Sequence, residues 1–161
     1  MANKVYQHDE TAIVWKSSGG DHAFTPTSLA TAAGRQGAYH DFDTSARAAL
    51  YAWRMALKPG GTRVVGEIIR VYWITSDGTS PDNDDGTGDI AVSALDKLRN
   101  VDQIGTIQID ENAAVVMVGH GVIEVTHRYG APAIWNATAN TLSATAGDYI
   151  FTLTPIPPEI Q

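Results

Sequence analysis

RYGAPAIWNATANTLSATAGDYIFTLTPIPPEIQ, from Arg128 to Gln161, is the stretch that decides the fold. Ile150, Thr152 and Thr154 alternate in it with Phe151, Leu153 and Pro155. That two-residue period belongs to a strand with one face in a core and the other in water. Asn136 to Asn140 supplies turn residues ahead of it, since short amides and hydroxyls bond their own backbone and tolerate tight curvature. The reading is strand, turn, strand, and then a proline-stiffened tail.

The same logic extends toward the N-terminus. Between Ala46 and Lys58, Ala49, Tyr51, Trp53, Met55 and Leu57 alternate with Leu50, Ala52, Arg54, Ala56 and Lys58, which predicts a strand despite an alanine content that also suits a helix. Lys58-Pro59-Gly60-Gly61 is a turn signal, and the β-branched and aromatic run Arg63 to Thr75 predicts the second arm of a hairpin. Ile104 to Asp110, Ala113 to Val118 and Gly121 to Thr126 predict three more strands, with Gly119-His120-Gly121 as a turn. Ala91 to Asn100, with Leu95 and Leu98 on one face and Lys97 and Arg99 near its end, predicts one short helix. Met1 to Thr44 is mixed, with one short apolar run at Ala12 to Trp15, and is expected to form an extended arm. The whole is an all-β, jelly-roll-like two-sheet sandwich over residues 45–161, preceded by the arm at 1–44.

Bulk properties exclude several classes of function. A net charge of −7 with only 11 Lys and Arg argues against a phosphate backbone as partner, because such binding requires clustered cations. Without cysteine there is neither a disulfide nor a thiolate metal site. MANKVYQHDE lacks an apolar signal-type region and no run approaches the length of a membrane span. The expected setting is water, with neither nucleic acid nor membrane as partner.

No constellation carries an activity. Asp77 to Asp89 holds five carboxylates and is expected as a surface loop; Asp82, Asp84, Asp85 and Asp89 are weak cation candidates. Calcium-loop spacing fails there at two places: counted back from Gly86, the oxygen positions fall on Pro81, Asn83 and Asp85, of which Pro81 offers no side-chain oxygen, and Val92 stands where a Glu is needed. His8, His22, His40, His120 and His127 are scattered singly, and His40 with Asp41 and Asp43 comes nearest to a cluster, though one that more often belongs to an exposed turn. There is no G-x-S-x-G elbow. A glycosidase pair drawn from Glu10, Glu67, Glu111, Glu124 and Glu159 would have to be assembled by folding alone. Trp53 and Trp73, within apolar runs, read as core, and Trp15 and Trp135 are the remaining candidates for stacking on a sugar. No catalytic residue, metal or cofactor is expected.

Three stretches carry a resemblance: VYWITSDGTSPDNDDGTGD (Val71 to Asp89), LDKLRNVDQIGTIQID (Leu95 to Asp110) and Gly121 to Gln161. A strand ending in SDGT, an acidic loop, an LxxLxxIG segment, an R-Y-x-x-P-x-I/V-x-N strand, a TLSAT turn and an LTPIP-x-E-x-Q terminus follow one another in them. In this order they resemble small virion structural proteins of tailed bacteriophages. The resemblance implies a capsid decoration (cement) protein on the outer surface of the head, made in the host cytoplasm, bound to the major capsid protein, and homo-oligomeric, with a trimer favoured. It implies no enzyme. Capsid contacts are then expected on the Met1 to Thr44 arm and the Pro155 to Gln161 tail, with the acidic loop facing solvent. A carbohydrate-binding or host-adhesion sandwich of a tail or head fibre is the alternative, and a small glycan hydrolase a third.

Overall fold

The computed structural model describes residues 10–44, 48–61, 63–110 and 115–156. Their strands are β1 (Ile13–Lys16), β2 (His22–Ala23), β3 (Ala33–Gln36), β4 (His40–Asp41), β5 (Leu50–Leu57), β6 (Ile68–Ser76), β7 (Ile90–Val92), β8 (Asp102–Gln108), β9 (Met117–Glu124), β10 (Tyr129–Asn136) and β11 (Tyr149–Ile156). The first sheet runs β2-β1-β11-β5-β9 and the second β7-β3-β10-β6-β8, with β4 beside β10. Setting aside the short β2, β4 and β7 leaves eight strands. They pair antiparallel as first with last, second with seventh, third with sixth and fourth with fifth. One long folded ribbon wrapped into two sheets is a jelly roll, as expected.

The wrapping explains why local reading misplaced some connections. β5 and β6, expected as a hairpin across Lys58-Pro59-Gly60-Gly61, lie in opposite sheets, because each is already flanked by two other strands. Residues of the expected arm enter both sheets: Ile13 pairs with Leu153 in the first and Gly34 with Trp135 in the second. Over its described residues the arm is therefore part of the sandwich. The expected helix is absent, since Ala91 belongs to β7 and only a single 3-10 turn follows at Leu95–Leu98.

Gly119-His120-Gly121 is the middle of strand β9, not a turn. Its glycines make room for Trp53 and Ile107: a Cβ at Gly121 would lie 2.8 Å from the indole nitrogen, one at Gly119 2.8 Å from Ile107 Cγ1, and one at Gly105 of β8 2.8 Å from the indole's far edge. The edge strands are thinned so that a buried indole fits under them, and the two expected strands on either side merge into one.

Between the sheets lies the main core, with Trp15, Trp53, Trp73, Phe151, Met55, Leu57 and Leu153 almost wholly enclosed. Each such side chain contributes about 1.5–3 kcal/mol by leaving water. A second cluster lies on the outer face of the second sheet, where Tyr72, Ile74, Ala133 and Trp135 meet Val92 and Leu98 from the 77–101 segment. That is why β6 reads as a nearly continuous apolar run: both of its faces are covered. Strand β5, with one covered face, keeps its alternation.

Candidate functional site

Three places hold the residues that chemistry would use. The first is the acidic loop. Asp77 caps its own turn, accepting from the backbone N–H groups of Thr79 (2.7 Å) and Ser80 (2.8 Å), and those bonds lower its pKa. The Asp82 carboxylate takes the hydroxyl of Thr75. Asp84 pairs with Lys97 at 2.7 Å, and Asp85 accepts from the N–H (3.1 Å) and hydroxyl (2.5 Å) of Ser93. Asp89 receives Arg35 Nε at 2.7 Å and the Thr25 hydroxyl at 2.6 Å. Burial raises the pKa of Asp89, but the bonds from Arg35 and Thr25 outweigh it and the net direction is down. The four cation candidates thus face four different protein partners, and among the described residues no three His, Asp or Glu side chains converge on a metal position. Beneath them Asn83 is buried and bonded to the enclosed amide of Gln36, which also donates to Gly86 O at 2.6 Å. The loop is a surface loop pinned down as a lid on the second sheet.

The second place is a cleft of about 240 Å³ at the foot of that loop, lined by Tyr39, Asp41, Ser76, Gly78, Thr87 and Tyr129. Register puts Tyr129 of β10 between Asp41 of β4 and Ser76 of β6. Gly78 sits at φ +98°, and a Cβ there would lie 2.5 Å from the Tyr129 ring, so only glycine allows the loop to close on it. Arg128 lies 5.0 Å from the ring centre of Tyr129 and forks onto Asp41 with bonds of 2.9 and 2.8 Å. The hydrogen bond from Arg128, with a backbone bond from Asp43, holds the Asp41 carboxyl down at about 2. The Tyr39 hydroxyl is buried and has no hydrogen-bond partner among the described residues. Burial, with Asp82 nearby, pushes its pKa far above the ordinary phenol value.

The third place is the outward face of the first sheet. Along β9 the outward residues are Val118, His120, Val122 and Glu124; opposite them on β5 stand Ala56, Arg54, Ala52 and Leu50. Ile150, Thr152, Thr154 and Ile156 continue the rows on β11, and Val14 and Lys16 on β1. Val122 is 58% exposed, Val118 43% and Leu50 45%. Two further features lie apart from these surfaces. An open cleft of about 450 Å³ between the edges of β8 and β9 carries Asp102 and Glu124, and His22 and His40 meet each other where β2 approaches β4.

All four tryptophans are buried, so Trp15 and Trp135 offer no stacking surface; the aromatic side chains at a surface cleft are tyrosines, which the sequence did not single out. His40 and Asp41 belong to a half-buried strand and Asp43 to the exposed part of the 3-10 turn that follows it, and Arg128 draws the two aspartates together. His120 and His127 stand apart on β9 and after it, while His8, Glu111 and Glu159 fall outside the described residues. Tail residues Pro155 and Ile156 complete β11, and the remainder of the tail also lies outside.

The motifs that carried the resemblance hold structural posts. Asn136, fully buried, donates to Leu29 O (3.0 Å), Ala30 O (3.1 Å) and Asn140 O (2.8 Å) and accepts from Thr138, knotting two turns together. In the TLSAT turn Leu142 enters the core, and Ser143 O accepts the Tyr149 hydroxyl at 2.7 Å. No protein-family model matches the chain, and no curated protein matches it. Among the described residues no helix is long and apolar enough to cross a membrane.

Proposed function

We propose that the chain is a non-enzymatic structural protein of a tailed-phage virion, of the capsid decoration type. It self-associates, with a trimer favoured, and binds the major capsid protein on the outer surface of the head. The observation that carries this reading is the bare face of the first sheet. The chain has a net charge of −7, yet this face presents Lys16 and Arg54 against Glu124 alone, among valines, isoleucines, alanines and threonines. A neighbouring copy packed on it meets few carboxylates there, which favours a further copy of the chain as the occupant. Four strands about 4.8 Å apart and up to eight residues long make a face of about 500 Å², or about 1,000 Å² for two copies, the lower limit for a specific interface.

Stabilisation by such a protein is passive. Many copies each hold neighbouring capsomers, so rupture of the shell must break many modest contacts at once. The test is add-back: heads lacking this protein are mixed with the purified chain, sedimented and challenged by heating. Saturable binding with a higher rupture temperature supports the reading. Absence of binding at micromolar concentration sinks it.

The tyrosine cleft favours a second reading, a carbohydrate-binding or host-adhesion module. Tyr39 and Tyr129 offer aromatic faces, and Ser76, Thr87 and Asp41 offer the polar groups that orient a sugar ring. Glycan-array binding that disappears in Tyr129→Ala, with no binding to heads, would move the assignment there.

A further inference from the structure

His22 and His40 stand 18 residues apart and carry no metal-site spacing, yet the fold brings His22 Nε2 to 2.8 Å from His40 Nδ1. His22 lies on β2, at the edge of the first sheet, and His40 on β4, beside the second. The pair is therefore a side-chain bridge across one side of the sandwich. The ladder that holds β2 is short: it pairs with β1 over two positions, Trp15 with His22 and Lys16 with Ala23. Backbone bonds from Asp21 N to Val14 O (2.8 Å), from Phe24 N to Lys16 O (3.2 Å) and from Ala38 N to Ala23 O (2.9 Å) add to its attachment, and just beyond it Thr25 is fixed to Asp89 (2.6 Å) and Arg35 (2.8 Å). Behind the imidazoles lie the Trp15 ring, 5.2 Å from His22, and the Phe42 ring, 4.6 Å from His40. Both aromatic side chains are enclosed, as is Phe24 next to β2.

We propose that the His22–His40 pair is a proton-operated latch: it holds β2 against β4 while at least one ring is neutral, and releases the 17–24 segment when both rings are charged. A neutral imidazole accepts from the other ring's N–H, and one added proton leaves that bond in place. A second proton leaves two donors facing each other at 2.8 Å, with no acceptor and two like charges. The surroundings admit this only reluctantly. Burial lowers both pKa values, and His22 lowers that of His40 further; Asp21 opposes the shift at both rings and Asp41 at His40. Those carboxylates are themselves engaged. Asp21 accepts from Val14 N at 2.8 Å, while Asp41 and Asp43 are held by Arg128. Lys16 of β1, beside Ala23, is the remaining charge on the packed elements.

The sign follows from the direction of the shifts. Imidazoles whose pKa is lowered on folding stabilise the closed form above the unfolded value of about 6.5, and that contribution falls as pH drops through 6.5 toward the folded values. The two titrate as a coupled pair, so release belongs to the second, lower step. Release uncovers Trp15, Phe24 and Phe42 on one side of the sandwich and leaves β5, β10 and β11 paired. This holds whether or not the chain decorates a capsid.

Hydrogen exchange of the full chain at about pH 7.5 and about pH 5, corrected for intrinsic rates, tests it. Protection of residues 17–24 and 38–42 is expected to fall about tenfold or more at the lower pH, with β5, β10 and β11 unchanged. His22→Gln/His40→Gln is expected to show the same protection at both pH values. Wild-type protection independent of pH, or equal loss in the double variant, would overturn the latch. Should the double variant not fold, imidazole NMR of the wild-type chain decides. Two linked steps at His22 and His40, both below the ordinary imidazole value of about 6.5, support it, and independent titrations near 6.5 refute it.

Discussion

The two sheets treat their outer faces in opposite ways. Outside the second sheet, Tyr72, Ile74, Ala133 and Trp135 are covered by the chain's own 77–101 segment. That lid is tied down by Arg35 on Asp89 and Gln36 on Gly86 and Asn83. Outside the first sheet, Val118, Val122 and Leu50 stand exposed. Some twenty-five residues cover one sheet, while among the described residues the other keeps these apolar side chains exposed. Intramolecular packing stabilises the covered face, and the self-association proposed above would use the exposed one.

Substitutions on the two faces should separate these tasks. Trp135→Ala, beneath the lid, is expected to cost about 3–5 kcal/mol of stability in denaturant unfolding, as for other buried tryptophans. A loss under 1 kcal/mol would mean that the lid is loosely seated. Asp89→Asn removes the anionic partner of a part-buried pair, and about 1–3 kcal/mol is expected, with exchange protection lost first in the lid. Because the Asp89 pKa is lowered on folding, its contribution is present above the unfolded carboxylate value of about 3.9 and is lost as pH falls through the folded value below that. Acid unfolding of wild type should thus include a lid transition below about pH 4 that Asp89→Asn lacks. Gly121→Ala, driving a Cβ toward the Trp53 indole, is expected to cost about 1–3 kcal/mol by overpacking. On the bare face, Val122→Thr should change the stability of the isolated chain by less than about 0.5 kcal/mol while weakening association.

The same contrast governs what could be read in the sequence. β11 and β5 were legible because each has one wet face, so Phe151 and Leu153, or Trp53 and Met55, alternate with exposed or half-buried neighbours. The two-sheet class followed from such runs. β3 was not legible: Ala33-Gly34-Arg35-Gln36 has no apolar period, and its buried members are a glycine packed on Trp135 and a glutamine bonded to the lid. Gly119 and Gly121 read as a turn because the side chains that require them, Ile107 and Trp53, lie on other strands. The helix expected at 91–100 failed because tertiary pairing of Ile90–Val92 with β3 overrode a weak local preference. Sites formed by distant residues were the least legible of all, since nothing along the chain announces that Tyr39 meets Tyr129 or that His22 meets His40.

The most direct test of the bare face is the solution mass of wild type and of Val118→Asp/Val122→Asp, measured by light scattering at matched concentrations, with circular dichroism to verify the fold. The expected result is a wild-type oligomer and a folded variant at the monomer mass of 17.2 kDa. A monomeric wild type, or a variant that assembles equally well, would contradict the assignment of that face to self-association.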